Sequence, residues 1–136
     1  MPLVSIILNL RNGARFLREA LDSMMSQTFQ DWELIVWDDR STDDSAQIVG
    51  EYRDPRIRYF LSPDETPLGE ARNRAIRQAT GEWLAFLDQD DVWLPTKIAL
   101  TLEKMSELIA KYGKDMPLLV YTDMKVVDEN LHVRIN

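Results

Sequence analysis

Residues 81–91, Gly-Glu-Trp-Leu-Ala-Phe-Leu-Asp-Gln-Asp-Asp, restrict the folds open to this chain more than any other stretch. A turn glycine leads into an apolar run, and the run ends in Asp88, Asp90 and Asp91. An uninterrupted apolar strand suits a parallel sheet covered on both faces. Its acidic end then lies beyond the carboxyl edge of the sheet, where open α/β folds bind ligands. Closely spaced carboxylates repel, so they persist where water solvates them or a cation sits between them. Oxygen-only donors favour Mg²⁺ or Mn²⁺ over zinc. An isolated Asp-x-Asp is more simply a solvated loop, so the rest of the chain must decide.

The remaining pattern alternates strands and helices. Residues 3–8 (Leu-Val-Ser-Ile-Ile-Leu) read as a buried strand, followed by the polar loop 9–13. Phe16, Leu17, Ala20, Leu21, Met24 and Met25 form the apolar stripe of a helix over 14–26. A second strand over 33–37 ends in Asp38 and Asp39. Ser41 and Thr42 open a short helix over 44–52, with Ala46, Ile48 and Val49 facing inward. A third strand spans 57–61. A third helix begins at Leu68 and is stopped by Gly81. Beyond the acid-ended strand, Pro95 sits in the first turn of a fourth helix, which Gly113 ends. Residues 118–121 read as a fifth strand, and 124–127 with 131–135 as an edge hairpin turning at 128–130. This order predicts an α/β fold: one doubly wound, mostly parallel Rossmann-like sheet over 1–136, helices on both faces, and a short C-terminal edge hairpin.

Composition removes several functions. With no cysteine there are no disulfides, thiolate nucleophiles or cysteine-bound zinc, and the only histidine is His132. A net charge of −7 opposes binding to a nucleic-acid backbone. Neither Gly-x-Gly-x-x-Gly nor a P-loop occurs, so dinucleotide oxidoreductases and P-loop enzymes fit poorly. A site formed where Asn9–Gly13, Asp38-Asp39 and Asp88–Asp91 converge suits a nucleotide whose diphosphate is held through a metal.

Several segments then resemble family 2 glycosyltransferases, in order. They are Val4-Ser5-Ile6-Ile7, Asn12-Gly13, Phe16 to Ser23, Gln27-Thr28-Phe29 and Trp32-Glu33-Leu34-Ile35. Asp38-Asp39-x-Ser41-Thr42-Asp43, Gly69-x-Ala71-Arg72-Asn73, and Leu87-Asp88-x-Asp90-Asp91-x-Trp93-Leu94-Pro95 follow. The resemblance covers nearly the whole chain. It implies a GT-A fold that binds a nucleotide-diphospho-sugar, commonly a UDP-sugar, with Mg²⁺ or Mn²⁺, and that inverts the anomeric carbon. Position by position, Asp39 would bond the base and Asn9 would lie beside it. Asp88 would approach the ribose or the metal, and Asp90 would ligate the metal. Read from the residues themselves rather than from the family, Arg11 is able to stack on a base, and Arg72 either meets the diphosphate or belongs to an ion-paired helix face. The acceptor would be a saccharide or a lipid-linked saccharide.

No catalytic residue is assigned within the chain, because the resemblance places the general base in an acidic motif beyond residue 136. The chain therefore reads as the donor-binding half of a longer enzyme. Further expectations are a cytoplasmic location at the inner face of the membrane, peripheral membrane association through regions outside the chain, and pairing of two copies. A non-catalytic nucleotide- or partner-binding module of the same fold is the alternative, and a nucleotidyltransferase is the weaker third reading. Two departures from the family pattern stand out. Leu8-Asn9-Leu10-Arg11 replaces Pro-x-Tyr, leaving Arg11 as the group able to stack on a base. Arg40 replaces a glycine, and a left-handed backbone there would be costly.

Overall fold

The structure, a computed structural model, describes residues 1–115, 117–128 and 130–132. It divides into two compact units, Met1–Thr96 and Lys97–Asn136. The first unit runs β1 (Val4–Leu10), α1 (Leu17–Met25), β2 (Trp32–Asp38), α2 (Ser45–Glu51), β3 (Ile57–Leu61), α3 (Leu68–Ile76) and β4 (Trp83–Phe86). The four strands are all parallel, in the order β3-β2-β1-β4. This is the doubly wound arrangement expected, and its strand order reverses between β1 and β4. Right-handed crossovers carry the chain outward from β1 to β3 and back to β4, which places α3 on the face opposite α1 and α2.

Period-two alternation assigns the two faces. Ile7, Ile35 and Trp37 form one core with Ala71 and Ala75 of α3, joined by Phe60, Ile76 and Ala79. Small alanines let α3 approach the sheet closely. The intervening residues Ile6, Leu8, Leu34 and Val36 are buried on the other face, as are Leu17, Ala20, Leu21 and Met24 of α1. Burying a side chain of this size contributes about 1.5–3 kcal/mol.

Several expectations are corrected. The acid-ended strand is not buried on both faces: β4 lies at the sheet edge, and Leu84 and Phe86 are 46% and 47% exposed. Ala46 points outward, and Ser45, Ile48 and Val49 are the buried residues of α2. Gly81 does not end the third helix, which stops at Ile76. A Cβ at Gly81 would instead lie 2.8 Å from both the amide nitrogen and the hydroxyl of Ser5, so the position requires glycine for close approach.

In the second unit, α4 (Lys97–Tyr112) begins two residues after Pro95 and ends where Gly113, at φ 88°, donates to Ile109 O at 2.8 Å. The fifth strand and edge hairpin do not form among the described residues. Residues 118–121 have the right apolar pattern, but a strand also needs a neighbour to take up its backbone groups and cover its side chains. Leu119 and Tyr121 are 84% and 87% exposed. Val127 makes only an isolated bridge, and Asp128 accepts from the amides of Asn130 and His132. Residues 133–135 of the expected hairpin, and Glu129 of its turn, lie outside the described residues.

Candidate functional site

Parallel strands bring the ends of β1, β2 and β4 to one edge, so the loop after each opens onto the crevice at the strand-order reversal. The β1–α1 loop is knitted to the β2–α2 loop. Asn12 N donates to Ser41 Oγ (2.9 Å), Gly13 N to Ser45 Oγ (3.0 Å) and Ala14 N to Asp43 Oδ2 (2.9 Å). Thr42 N returns a bond to Asn12 Oδ1 at 2.8 Å. Burial opposes ionisation of Asp43, but its bonds to Ser45 and Ala14 hold the carboxyl below the ordinary range. Asn12 and Arg40 both adopt left-handed backbones, at φ 49° and 63°. The conformation that a glycine would enter freely is therefore imposed on Arg40, whose Nη1 donates to Pro63 O at 3.2 Å.

The adjacent acids Asp38 and Asp39 separate in role. Asp38 faces into the fold, accepting from Ser41 N at 2.7 Å and from the Tyr59 hydroxyl at 2.6 Å. Burial, reinforced by that bond, pushes the Tyr59 hydroxyl above its ordinary pKa. Asp39 is also buried, but lies under the loop that follows β3. It accepts from Thr66 N at 3.2 Å and Thr66 Oγ1 at 3.3 Å, and pairs with Arg11 Nη1 at 3.4 Å. Arg11 donates through Nη2 to Glu65 at 2.7 Å. Its guanidinium is thus engaged by two carboxylates.

Across the crevice, Asp88 is 66% exposed and meets Arg72 Nη2 at 3.4 Å. The Arg72 guanidinium lies 5.4 Å from the Phe86 ring, and its Nε is buried without a partner among the described residues. Asn9 Nδ2, at the end of β1, is likewise a buried donor without a partner. Unsatisfied buried donors cost free energy and need a reason to persist. Asp90 is exposed, and its carboxylate makes no hydrogen bond or ion pair among the described residues.

Among the described residues, no three carboxylates or imidazoles gather into a closed metal cage. Asp88 and Asp90 supply oxygen ligands only, on a loop open to water. That donor set fits a hard cation such as Mg²⁺, which uses one or two carboxylates and takes its other ligands from water and phosphate.

Of the residues singled out from sequence, Asn9, Arg11 and Asp39 lie on one side of the crevice and Arg72, Asp88 and Asp90 on the other. Trp93, part of the acidic segment that resembles the family, is buried. Sequence reasoning missed Thr66 and Glu65, in a polar loop that carries no motif. It also missed Gln89, whose only signal is its place between two acids. Gln89 Oε1 accepts from Arg11 N at 2.9 Å, and its Nε2 donates to Arg11 O at 3.3 Å, so its amide bridges the two sides.

A family model described as Glycosyl transferase family 2 matches residues 5–119. Over 103 residues the chain is 36% identical to UDP-Glc:alpha-D-GlcNAc-diphosphoundecaprenol beta-1,3-glucosyltransferase WfgD of Escherichia coli, an alignment covering 76% of this chain and 41% of that protein. The crystal structure of S. aureus TarS 1-349 in complex with UDP-GlcNAc superposes with TM-score 0.69 and 26% identity, covering 92% of this chain and 40% of that one. The mannosyltransferase PcManGT from Pyrobaculum calidifontis, in complex with GDP-Man and Mn²⁺, gives TM-score 0.68 and 28% identity, covering 80% and 32%. The fold is of the GT-A type these enzymes share. The chain spans less than half the length of each of the three.

Proposed function

The chain belongs to glycosyl transferase family 2, and from that premise we propose that its first unit binds the donor of an inverting glycosyltransferase, a nucleotide-diphospho-sugar. The observation that carries this is the crevice between β1 and β4, where Asp39, Asp88 and Asp90 reach the same sheet edge and Asp90 has no partner among the described residues. A carboxylate left exposed and unpaired at such a position does little for stability and is available to a ligand.

Asp39 would read the edge of the base, exchanging its long bonds from Thr66 for N–H groups of the nucleotide while Arg11 stays paired with it. Asn9 and Arg72, each with a buried unpartnered donor, would flank the nucleotide, and the Arg72 cation also favours the diphosphate. Asp88 and Asp90 would hold Mg²⁺ or Mn²⁺, which when bound supplies Lewis-acid neutralisation of charge on the leaving diphosphate. In the transfer, the acceptor hydroxyl oxygen forms a bond to the anomeric carbon as the bond to the diphosphate oxygen breaks. A carboxylate base takes the hydroxyl proton.

The names of the relatives support UDP as the nucleotide and a lipid-linked saccharide as the acceptor class. Such an acceptor would bring the site to a membrane surface. Among the described residues, no helix is long and apolar enough to cross one.

Calorimetric titration of UDP with and without Mn²⁺, against the wild-type chain and Asp90→Ala, tests the reading. Binding strengthened by Mn²⁺, with that gain lost in Asp90→Ala, is expected. A folded chain that binds neither UDP nor GDP under either condition would refute it.

A further inference from the structure

We infer that Gln89 is a positioning residue that couples the acid loop to the base-reading side of the crevice, so that metal and nucleotide bind interdependently. The inference rests on the donor-site reading above. Past Leu87, whose amide donates to Ile7 O at 3.0 Å, the chain has left the sheet. The acids that follow are joined to their own turn by Asp91 N donating to Asp88 O at 3.1 Å, and to α3 by the long 3.4 Å contact of Asp88 with Arg72. Neither contact reaches the β1–α1 loop.

Gln89 does reach it. Its amide meets the backbone of Arg11 as one strand meets another, accepting at 2.9 Å and donating at 3.3 Å. Arg11 in turn carries the guanidinium that pairs with Asp39. Asp88 and Asp90 flank Gln89 directly in the chain. A continuous set of bonds therefore runs from the carboxylates suited to a metal, through one amide, to the carboxylate suited to the base.

The space for that amide is kept by Gly13. A Cβ there would lie 2.7 Å from Gln89 Oε1, 2.8 Å from its Cδ and 2.8 Å from Leu10 Cδ1. Gly13 has no left-handed backbone to explain it, so the close approach of Gln89, together with that of Leu10, is a physical reason for a glycine. Partners that orient metal-binding groups, without themselves binding the metal, are typically worth about 10–100-fold in metal affinity.

The test measures UDP affinity with and without Mn²⁺ for wild type, Gln89→Met, Gly13→Ala and the double variant, with thermal unfolding to verify folding. Gln89→Met keeps the side chain's length and removes both bonds. In it, the strengthening by Mn²⁺ should fall by about tenfold, while metal-free UDP affinity stays within about twofold because Asp39 and Thr66 are untouched. A merely structural residue would weaken both affinities together. Gly13→Ala should reproduce the loss of the Mn²⁺ effect from the other side, and its clash with Leu10 should weaken binding with and without Mn²⁺ alike, so it adds no further loss of that effect in the Gln89→Met background. If Gln89→Met does not fold, Gly13→Ala alone decides by the same ratio. An undiminished Mn²⁺ effect in the folded variants overturns the coupling and leaves the donor site standing. Failure of the wild type to bind UDP or GDP overturns the donor site, and the coupling with it.

Discussion

At the amino end of the sheet Glu33 accepts four hydrogen bonds, from Ser5 Oγ (2.6 Å), Arg58 Nη1 (2.7 Å), Thr80 N (2.7 Å) and Thr80 Oγ1 (2.8 Å). At the carboxyl end Asp90 accepts none among the described residues. Both are carboxylates on the loops and strands of one parallel sheet, yet one is buried and fully occupied while the other is exposed. The Glu33 cluster joins β1, β2, β3 and the turn before β4, and Gly81 N adds a bond to Ser5 Oγ at 2.8 Å. Charge at the amino end locks the sheet together. At the carboxyl end Asp38 and Asp39 are also bonded, and Asp90 alone of these acids is left exposed and without a bond among the described residues.

The largest expected effect comes from breaking the locked end. Glu33→Ala would leave Arg58, Ser5 and Thr80 with unpaired groups around a buried site, at a cost of about 3 kcal/mol. Asp90→Ala should shift stability by less than about 0.5 kcal/mol. Urea unfolding of both variants separates them, and equal losses would erase the distinction between the two ends.

Acid sharpens the same contrast. Burial alone would raise the Glu33 carboxyl, but its bonds to Ser5, Arg58 and Thr80 outweigh that and lower it from 4.5 to about 2. Between those values the unfolded chain binds a proton that the folded chain does not, so folding weakens as pH falls. The contribution of Glu33 is complete above about pH 4.5 and is lost as pH approaches 2. Unfolding midpoints measured between these limits should fall less steeply in Glu33→Gln than in wild type. A superimposable pH profile would show that Glu33 is not depressed.

Asp38 tests whether position at the carboxyl end is enough to make an acid functional. Its two bonds resemble those of Glu33 more than the vacancy at Asp90. Tyr59→Phe removes one of them and should cost about 1 kcal/mol, with UDP affinity unchanged. A large loss of affinity at unchanged stability would move Asp38 into the ligand site.

What could be read from sequence divides along physical lines. The four strands, their succession with helices along the chain and the stripe of α1 were legible because apolar period and turn chemistry are local. Asp39, Asp88 and Asp90 were legible because three strand ends rich in polar groups must share an edge in a parallel sheet. The separation of Asp38 from Asp39 depends on which face each side chain takes, one residue of register, and on a tyrosine of the neighbouring strand. Gln89, Thr66 and Glu65 act through contacts with distant backbone that no spacing encodes. Glu33 left a trace: Ser5 and Glu33 are polar second residues of apolar strands, and the register pairs them directly. The fifth strand failed for the opposite reason. Its local pattern is present, and the neighbour it requires is not among the described residues.

The smallest expected effect concerns the backbone at the carboxyl end. Arg40 holds φ at 63°, a region that costs an L-residue about 1–2 kcal/mol. Arg40→Gly would relieve this, lose one exposed bond to Pro63 O, and admit more freedom to the unfolded chain, which offsets about 0.4–1 kcal/mol. The balance is a gain of about 0.5 kcal/mol, visible as a higher urea midpoint at unchanged slope. The amino end offers no comparable gain, because Gly81 already occupies its tight position and Glu33 is satisfied. If Arg40→Gly instead destabilised the chain, the bond to Pro63 would outweigh the strain. The loop after β2 would then belong with the locked end of the sheet.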